Sequence, residues 1–209
     1  MNIKGLYEEH LLPRLMHRTM RNKELTRLRS EILPSATGRV LEVGLGSGLN
    51  LPFYGSDVKS VTGIDPSRRL LSIAGKEAEH VPFECNLVPG TADQLPYDDK
   101  RFDTVVTTWS LCSIANVEAA LGEMRRVLKP GGALLFIEHG RSPDHAVQAW
   151  QNRLNGVWGI CSGGCNLNRG IETLIQDAGF AIQGLDTGYM VSGPRFLTYF
   201  YRGRASRSV

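Results

Sequence analysis

The sequence predicts an α/β protein: a doubly wound, mostly parallel sheet of seven strands with helices on both faces and a helical preface at the amino terminus. Three observations carry this reading. From residue 39 onward, apolar runs alternate with helical patterns, the rhythm of parallel strands joined by crossover helices. The first apolar run empties into a glycine-rich turn, and acidic residues stand at or just past the ends of the next two. The size agrees, since 209 residues with 42% hydrophobic and 22% charged side chains suit about one such domain with a short extension.

The elements follow in order. Leu12, Leu15, Met16 and Met20 recur at helical spacing, with Pro13 tolerable only near a helix start. Asn22 suits the cap of a second helix carrying Leu25, Leu28 and Ile32, which stops before Pro34. Residues 1–34 are thus expected to form two short amphipathic helices, as a lid or as packing, ahead of a main domain over 35–209. Strands are expected at Arg39–Val43, Ser60–Ile64, Phe83–Val88, Phe102–Thr108 and Ala133–Glu138, and two closing strands at Phe180–Asp186 and Phe196–Tyr201. Helical patterns fall at Ser67–His80, Val117–Leu128, Asp144–Trp158 and Ile171–Ala178, and Lys129-Pro130-Gly131-Gly132 is a strong helix stop and turn.

Composition close to that of ordinary globular proteins excludes collagen-like and wholly disordered classes. No apolar run approaches the ~20 residues that span a bilayer, and Lys4, Glu8, Glu9, Arg14 and Arg18 interrupt any signal-peptide core. A cytoplasmic location is expected. The formal charge of +3 is unevenly spread. Lys4, Arg14, Arg18, Arg21, Lys23, Arg27 and Arg29 face only Glu8, Glu9 and Glu24 within residues 1–30, while Arg195, Arg202, Arg204 and Arg207 meet no acid within 195–209. The body between is therefore net acidic, which speaks against a nucleic-acid partner and leaves weak contact with an anionic membrane surface to the basic ends. Cys85 and Cys112 sit inside apolar runs and suit packing. Cys161 and Cys165 form a C-x3-C pair with no second ligand pair at zinc spacing, so neither a disulfide framework nor a metal is expected.

The most informative segment runs from Val40 to Asn50, where a strand enters a turn with Gly44, Gly46 and Gly48. Bare backbone there lets a nucleoside lie close. The spacing is not that of a dinucleotide fingerprint, and no Lys-Ser/Thr follows to make a P-loop. Glu42, just before the turn, would repel a pyrophosphate but can attract an ammonium, directly or through water. Asp65 stands 21 residues after Gly44, at the end of the second strand, where a carboxylate accepts from both ribose hydroxyls. After the third strand, Gly90-Thr91-Ala92-Asp93 offers Asp93 to an exocyclic adenine amine and the Ala92 backbone to the ring.

These motifs, read as Leu41–Gly48, Ile64-Asp65-Pro66, Gly90–Pro96 and Arg126–Gly132, resemble those of the class I S-adenosylmethionine-dependent methyltransferases over roughly residues 35–140. The resemblance implies a Rossmann-like fold, S-adenosylmethionine as cofactor, and a small-molecule methyl acceptor. It also implies that Asn50 and Pro66 join the cofactor residues, with Thr108 and Trp109 flanking the methionine portion. Leu45 stands where many relatives carry Cys, and its side chain is expected in the core.

The acceptor is to be read from later loops. Leu111–Ser113 face it by resemblance, while Cys112 is weighed as packing. His139 is the group of near-neutral pKa at the catalytic edge and the first candidate for a general base, with Glu138 orienting it or touching substrate. Trp150, Trp158 and the Gly163-Gly164 turn suit a small apolar pocket with a mobile wall. Glu138-His139 followed by Gly164–Arg169 is similar to methyltransferase-like proteins that methylate small alkyl thiols, with Asn168 in place of the usual Thr. Animal members of that group carry an amino-terminal membrane anchor, for which this sequence offers no apolar run. A thiol, with a pKa near 8.5, needs only mild activation. Quinone or phenol and phospholipid-amine acceptors are the alternatives within the class. A non-catalytic cofactor-binding scaffold is the alternative outside it. Tyr7 is a candidate to reach the cofactor's carboxylate from the lid.

Overall fold

The computed structural model describes residues 11–208, and Tyr7 lies outside them. Two short helices open the described chain, α1 (Leu12–Thr19) and α2 (Lys23–Ile32). Asn22 caps α2, its side-chain oxygen accepting from the Glu24 and Leu25 amides at 2.7 and 3.4 Å. The sheet then builds through β1 (Gly38–Val43), β2 (Val58–Asp65), α3 (Arg68–Ala78), β3 (Glu84–Pro89), β4 (Phe102–Thr108), α4 (Val117–Val127) and β5 (Leu128–His139). It closes through α5 (His145–Cys161), α6 (Ile171–Asp177), β6 (Phe180–Tyr189) and β7 (Tyr199–Arg207). Ser67, Asn116 and Asp144 cap α3, α4 and α5 through their side chains, satisfying amides that the first helical turn leaves without partners.

All seven strands form one sheet in the order β3-β2-β1-β4-β5-β7-β6. Six run in the same direction, and β7 alone is reversed, antiparallel to both β5 and β6. Strand order reverses between β1 and β4, so a crevice opens beyond their carboxyl ends, where open α/β sheets take ligands. Val43 pairs with Ile64 on one side and Thr107 on the other, which brings the ends of β1, β2 and β4 level at that crevice.

Strand alternation divides the core into two layers. Leu41, Val105, Leu134 and Phe136 point toward α4 and α6, packing on Leu121, Met124 and Ile175. Val40, Val106, Leu135 and Ile137 point the other way, onto Leu28, Ile32, Leu71 and Ala74 of α2 and α3. The preface helix α2 is thus one of the helices covering the sheet. Leu45 lies in the second layer, as expected.

Two expectations need correction. The segment 129–132 is not a free turn: Phe102 pairs with Leu128 and Thr104 with Ala133, so it bulges out of an already started β5. The last strand begins three residues later than expected and runs to Arg207, because a 3-10 turn occupies Arg195–Leu197. Its arginines are engaged. Arg202 pairs with Glu31 and, at 2.6 Å, with Asp186, and Arg207 donates to the Leu128 carbonyl at 2.8 Å. The basic carboxyl end is therefore largely an inner strand rather than a free cationic tail.

Candidate active site

The turn after β1 places Gly44, Gly46 and Gly48 in the left-handed region, with φ of 73°, 59° and 79°. At Gly44 a Cβ would lie 1.9 Å from the Ser110 hydroxyl, so only glycine fits beneath the loop that follows β4. At Gly46 the nearest protein atom would be 3.9 Å away. That position is bare backbone facing open space, and it suits close approach of a ligand. Asp65, at the end of β2, holds the turn: Oδ2 accepts from the Gly46 amide at 2.9 Å and Oδ1 from the Ser67 amide at 2.8 Å. Each oxygen keeps capacity for a further donor. Burial holds the Asp65 carboxyl above its usual range.

Beneath the turn lies a buried polar chain. The Asn50 amide donates to Glu42 Oε1 at 2.8 Å and to the Thr108 hydroxyl at 2.9 Å, while its oxygen accepts from Arg29 Nε at 2.9 Å. The other Glu42 oxygen accepts from the Tyr54 hydroxyl at 2.6 Å. Burial pushes the Glu42 carboxyl up to about 7, against the pull of its hydrogen bonds and of Arg29. Burial also brings the Arg29 guanidinium down to about 10. Arg29 is 3% exposed and stacks over the Trp109 ring at 4.6 Å. Glu42 itself does not line the cavity and is joined to its wall through Asn50.

The cavity holds about 450 Å³, within the range of small-molecule sites. Gly44, Gly46, Asn50, Asp65 and Pro66 wall one side, Ala92 and Asp93 a second, and Thr108, Trp109 and Ser113 a third. Gly48 turns away against Ala74 and Leu51. Leu12, Met16, His17 and Met20 from the preface border the cavity together with Ser162 and Gly163, and His17 Nδ1 meets the Ser47 hydroxyl at 2.8 Å. Trp109 has φ of 53°, an unusual conformation for a bulky residue. Its buried ring N–H has no partner among the described residues.

The pair expected to do chemistry is placed differently. Glu138 is fully buried and accepts from the Thr107 hydroxyl at 2.8 Å, the Ser110 amide at 3.2 Å and the Leu111 amide at 3.1 Å. Burial pushes its carboxyl up to about 8. It clamps the loop after β4 and does not line the cavity. His139 is likewise absent from that wall. Its Nδ1 lies 3.8 Å from Cys165 Sγ, and its ring meets Phe200 edge-on at 6.1 Å between centroids. Cys112, 3% exposed, joins them. Hydrogen bonding between the two thiols raises Cys112 and lowers Cys165.

Sequence reasoning missed Arg29, counted only as part of a basic end, and missed the meeting of Cys112, His139 and Cys165. Spacing cannot show either, because each depends on chain segments far apart in sequence.

The order of the sheet and the glycine and acid crevice at its switch point define a class I methyltransferase fold. Residues 41–136 match the family model described as a methyltransferase domain. The chain thus carries a domain of the class I S-adenosylmethionine-dependent methyltransferase family, whose cofactor is S-adenosylmethionine. It is 36% identical over 152 residues to human thiol S-methyltransferase TMT1A, covering 71% of this chain and 62% of that protein. It is 39% identical over 104 residues to phosphatidylethanolamine N-methyltransferase of Cereibacter sphaeroides, covering 49% of this chain and 51% of that one. Each match therefore spans less than two thirds of the relative. Among solved structures, a putative methyltransferase from Bacillus halodurans superposes with a TM-score of 0.70 at 19% identity, over 90% of this chain and all of that one.

Proposed function

We propose that this protein transfers the methyl group of S-adenosylmethionine to the sulfur of a small thiol. The observation that carries the cofactor half is the convergence of the bare Gly46 backbone, Asp65 and Asp93 on one cavity. When bound, the cofactor supplies an electrophilic methyl on a sulfonium. Asp65 uses its remaining lone pairs for the ribose hydroxyls, and Asp93 takes the adenine amine beside Ala92. Arg29, a cation on the cavity wall, suits the carboxylate of the methionine portion, and Glu42 acts at one remove by holding Asn50. Thr108 and Trp109 border the reacting end, and the Trp109 ring N–H, which has no partner among the described residues, can donate to a ligand acceptor there. Preface and 162–163 residues along the cavity edge limit water, which favours a reaction that discharges a cation.

The thiol half is supported by resemblance to the thiol S-methyltransferases and by chemistry. Neither Glu138 nor His139 lines the cavity, and a thiol is the acceptor that least needs a protein base, since part of it is thiolate near neutral pH. The phospholipid-amine reading is second, carried by the 39% match to the phosphatidylethanolamine enzyme. The deciding experiment incubates the protein with labelled S-adenosylmethionine and separate thiols, demethylated quinones, phenols and phosphatidylethanolamine vesicles. Labelled thioether is expected. Label confined to lipid or quinone would overturn the thiol assignment, and no label in any acceptor would favour a scaffold. Independently, Asp65→Ala is expected to weaken calorimetric binding of S-adenosylhomocysteine by at least about tenfold, the cost of a lost charge-assisted hydrogen bond.

A further inference from the structure

We propose that Cys112, His139 and Cys165 form a zinc site that staples the loop after β4 to the loop after α5, with one exogenous ligand completing the coordination. The three come from separate elements: the loop after β4, the last residue of β5, and the loop between α5 and α6. Their ligand atoms all lie within 4.8 Å of one another. Four-coordinate zinc, with bonds of about 2.3 Å to sulfur and 2.0 Å to nitrogen, sets ligand atoms about 3.5–3.8 Å apart. The His139–Cys165 separation of 3.8 Å lies within about 0.3 Å of the sulfur–nitrogen value such a centre needs.

The surroundings hold the donors in place before any metal arrives. The Cys112 carbonyl accepts from both the amide and the side-chain amide of Asn166, at 2.8 and 2.9 Å. Arg169 donates to the carbonyls of Leu111 and Ile114 on either side. Gly163 and Gly164, with φ of 68° and 92°, turn the chain after α5 so that Cys165 faces inward while Cys161 remains exposed on the helix. The C-x3-C spacing is therefore not the ligand pair, and Cys165 pairs across the fold. His139 is 6% exposed and turns Nδ1 toward Cys165, so Nδ1 is the ring nitrogen offered to the metal, and the buried Nε2, without a partner among the described residues, is left to carry the ring proton.

Two thiolates and an imidazole are the donor set of a borderline-soft cation, favouring zinc over magnesium or calcium. With two thiolates, Zn2+ makes a neutral centre, which suits burial. Three protein donors leave a fourth position for water or a free thiol. Because Ser113 and Gly163 line the cavity beside Cys112 and Cys165, the staple would fix the wall opposite the glycine turn. The site does not depend on the acceptor being a thiol.

The test uses the whole reduced chain titrated anaerobically with Co2+ and then Zn2+. One Co2+ per chain is expected, with thiolate-to-cobalt charge-transfer absorption that zinc abolishes. Cys112→Ser and Cys165→Ser should each weaken zinc binding by more than about 100-fold, beyond what loss of a supporting partner costs. Cys161→Ser should leave it unchanged. The wild-type titration decides the matter even where a variant fails to fold. No cobalt charge-transfer band, or a band that survives Cys112→Ser/Cys165→Ser, would overturn the site.

Discussion

Glu42 and Glu138 show how similar buried carboxyls are held for different purposes. Both are kept above the usual carboxylate range by burial, to about 7 and about 8. In the unfolded chain each loses its proton near 4.5, so between that value and the folded pKa the native state binds more protons. Stability from these groups therefore falls as pH rises from about 4.5 to about 8. The melting temperature is expected to drop between pH 6 and pH 8.5, and scanning calorimetry across that range checks it. Glu42→Gln should flatten the lower part of the slope, since an amide can still accept from Asn50 and donate to the rotatable Tyr54 hydroxyl. Glu138→Gln is different. Backbone amides and a hydroxyl occupy both its oxygens, so the new amide N–H faces a donor and costs about 1–3 kcal/mol.

The element that carries most is α2. One face places Leu28, 1% exposed, in the core against the sheet, and the same helix delivers Arg29 to the cavity. The two roles separate by substitution. Leu28→Ala is expected to cost about 2–5 kcal/mol in denaturant unfolding. Arg29→Met should mainly weaken S-adenosylhomocysteine binding, by about tenfold or more, as expected for loss of the cation proposed to face the ligand's carboxylate. Helix α1 rests on the cavity edge through Leu12 and Met16, with Leu15 half exposed. We propose that it is a lid. Tryptic cleavage after Arg14 and Arg18 should slow when S-adenosylhomocysteine is bound, and equal rates with and without ligand would leave α1 as packing.

At the scale of the whole molecule, a sheet covered on both faces leaves chemistry to the crevice beyond the ends of β1, β2 and β4. No described helix is long and apolar enough to cross a membrane. Among the described residues, the preface and the loops after β4 and α5 border the cavity and are the segments we propose set specificity. If transfer needs no protein base, the pH–rate curves for a series of thiols should each rise with that thiol's own ionisation. A common inflection shared by all thiols would point instead to a group on the protein. Steady-state kinetics with thiols of graded pKa separates the two outcomes.

The fold and cofactor end were legible in the sequence because they are local. The glycine turn, Asp65 and Asp93 follow their strands within a few residues, and apolar periodicity reports β1 through β5 directly. Element ends were less legible: β7 carries alternating arginines that look like a solvated tail until their partners Glu31, Asp186 and the Leu128 carbonyl come into view. What only tertiary structure decided is every relation between distant segments. It set Glu42 behind Asn50, brought Arg29 to the cavity, turned Glu138 into a loop clamp, and joined Cys112 to His139 and Cys165. The physical reason is that side-chain orientation at a strand end depends on which neighbours fill each face, and those neighbours lie 26–53 residues away in the cysteine–histidine cluster.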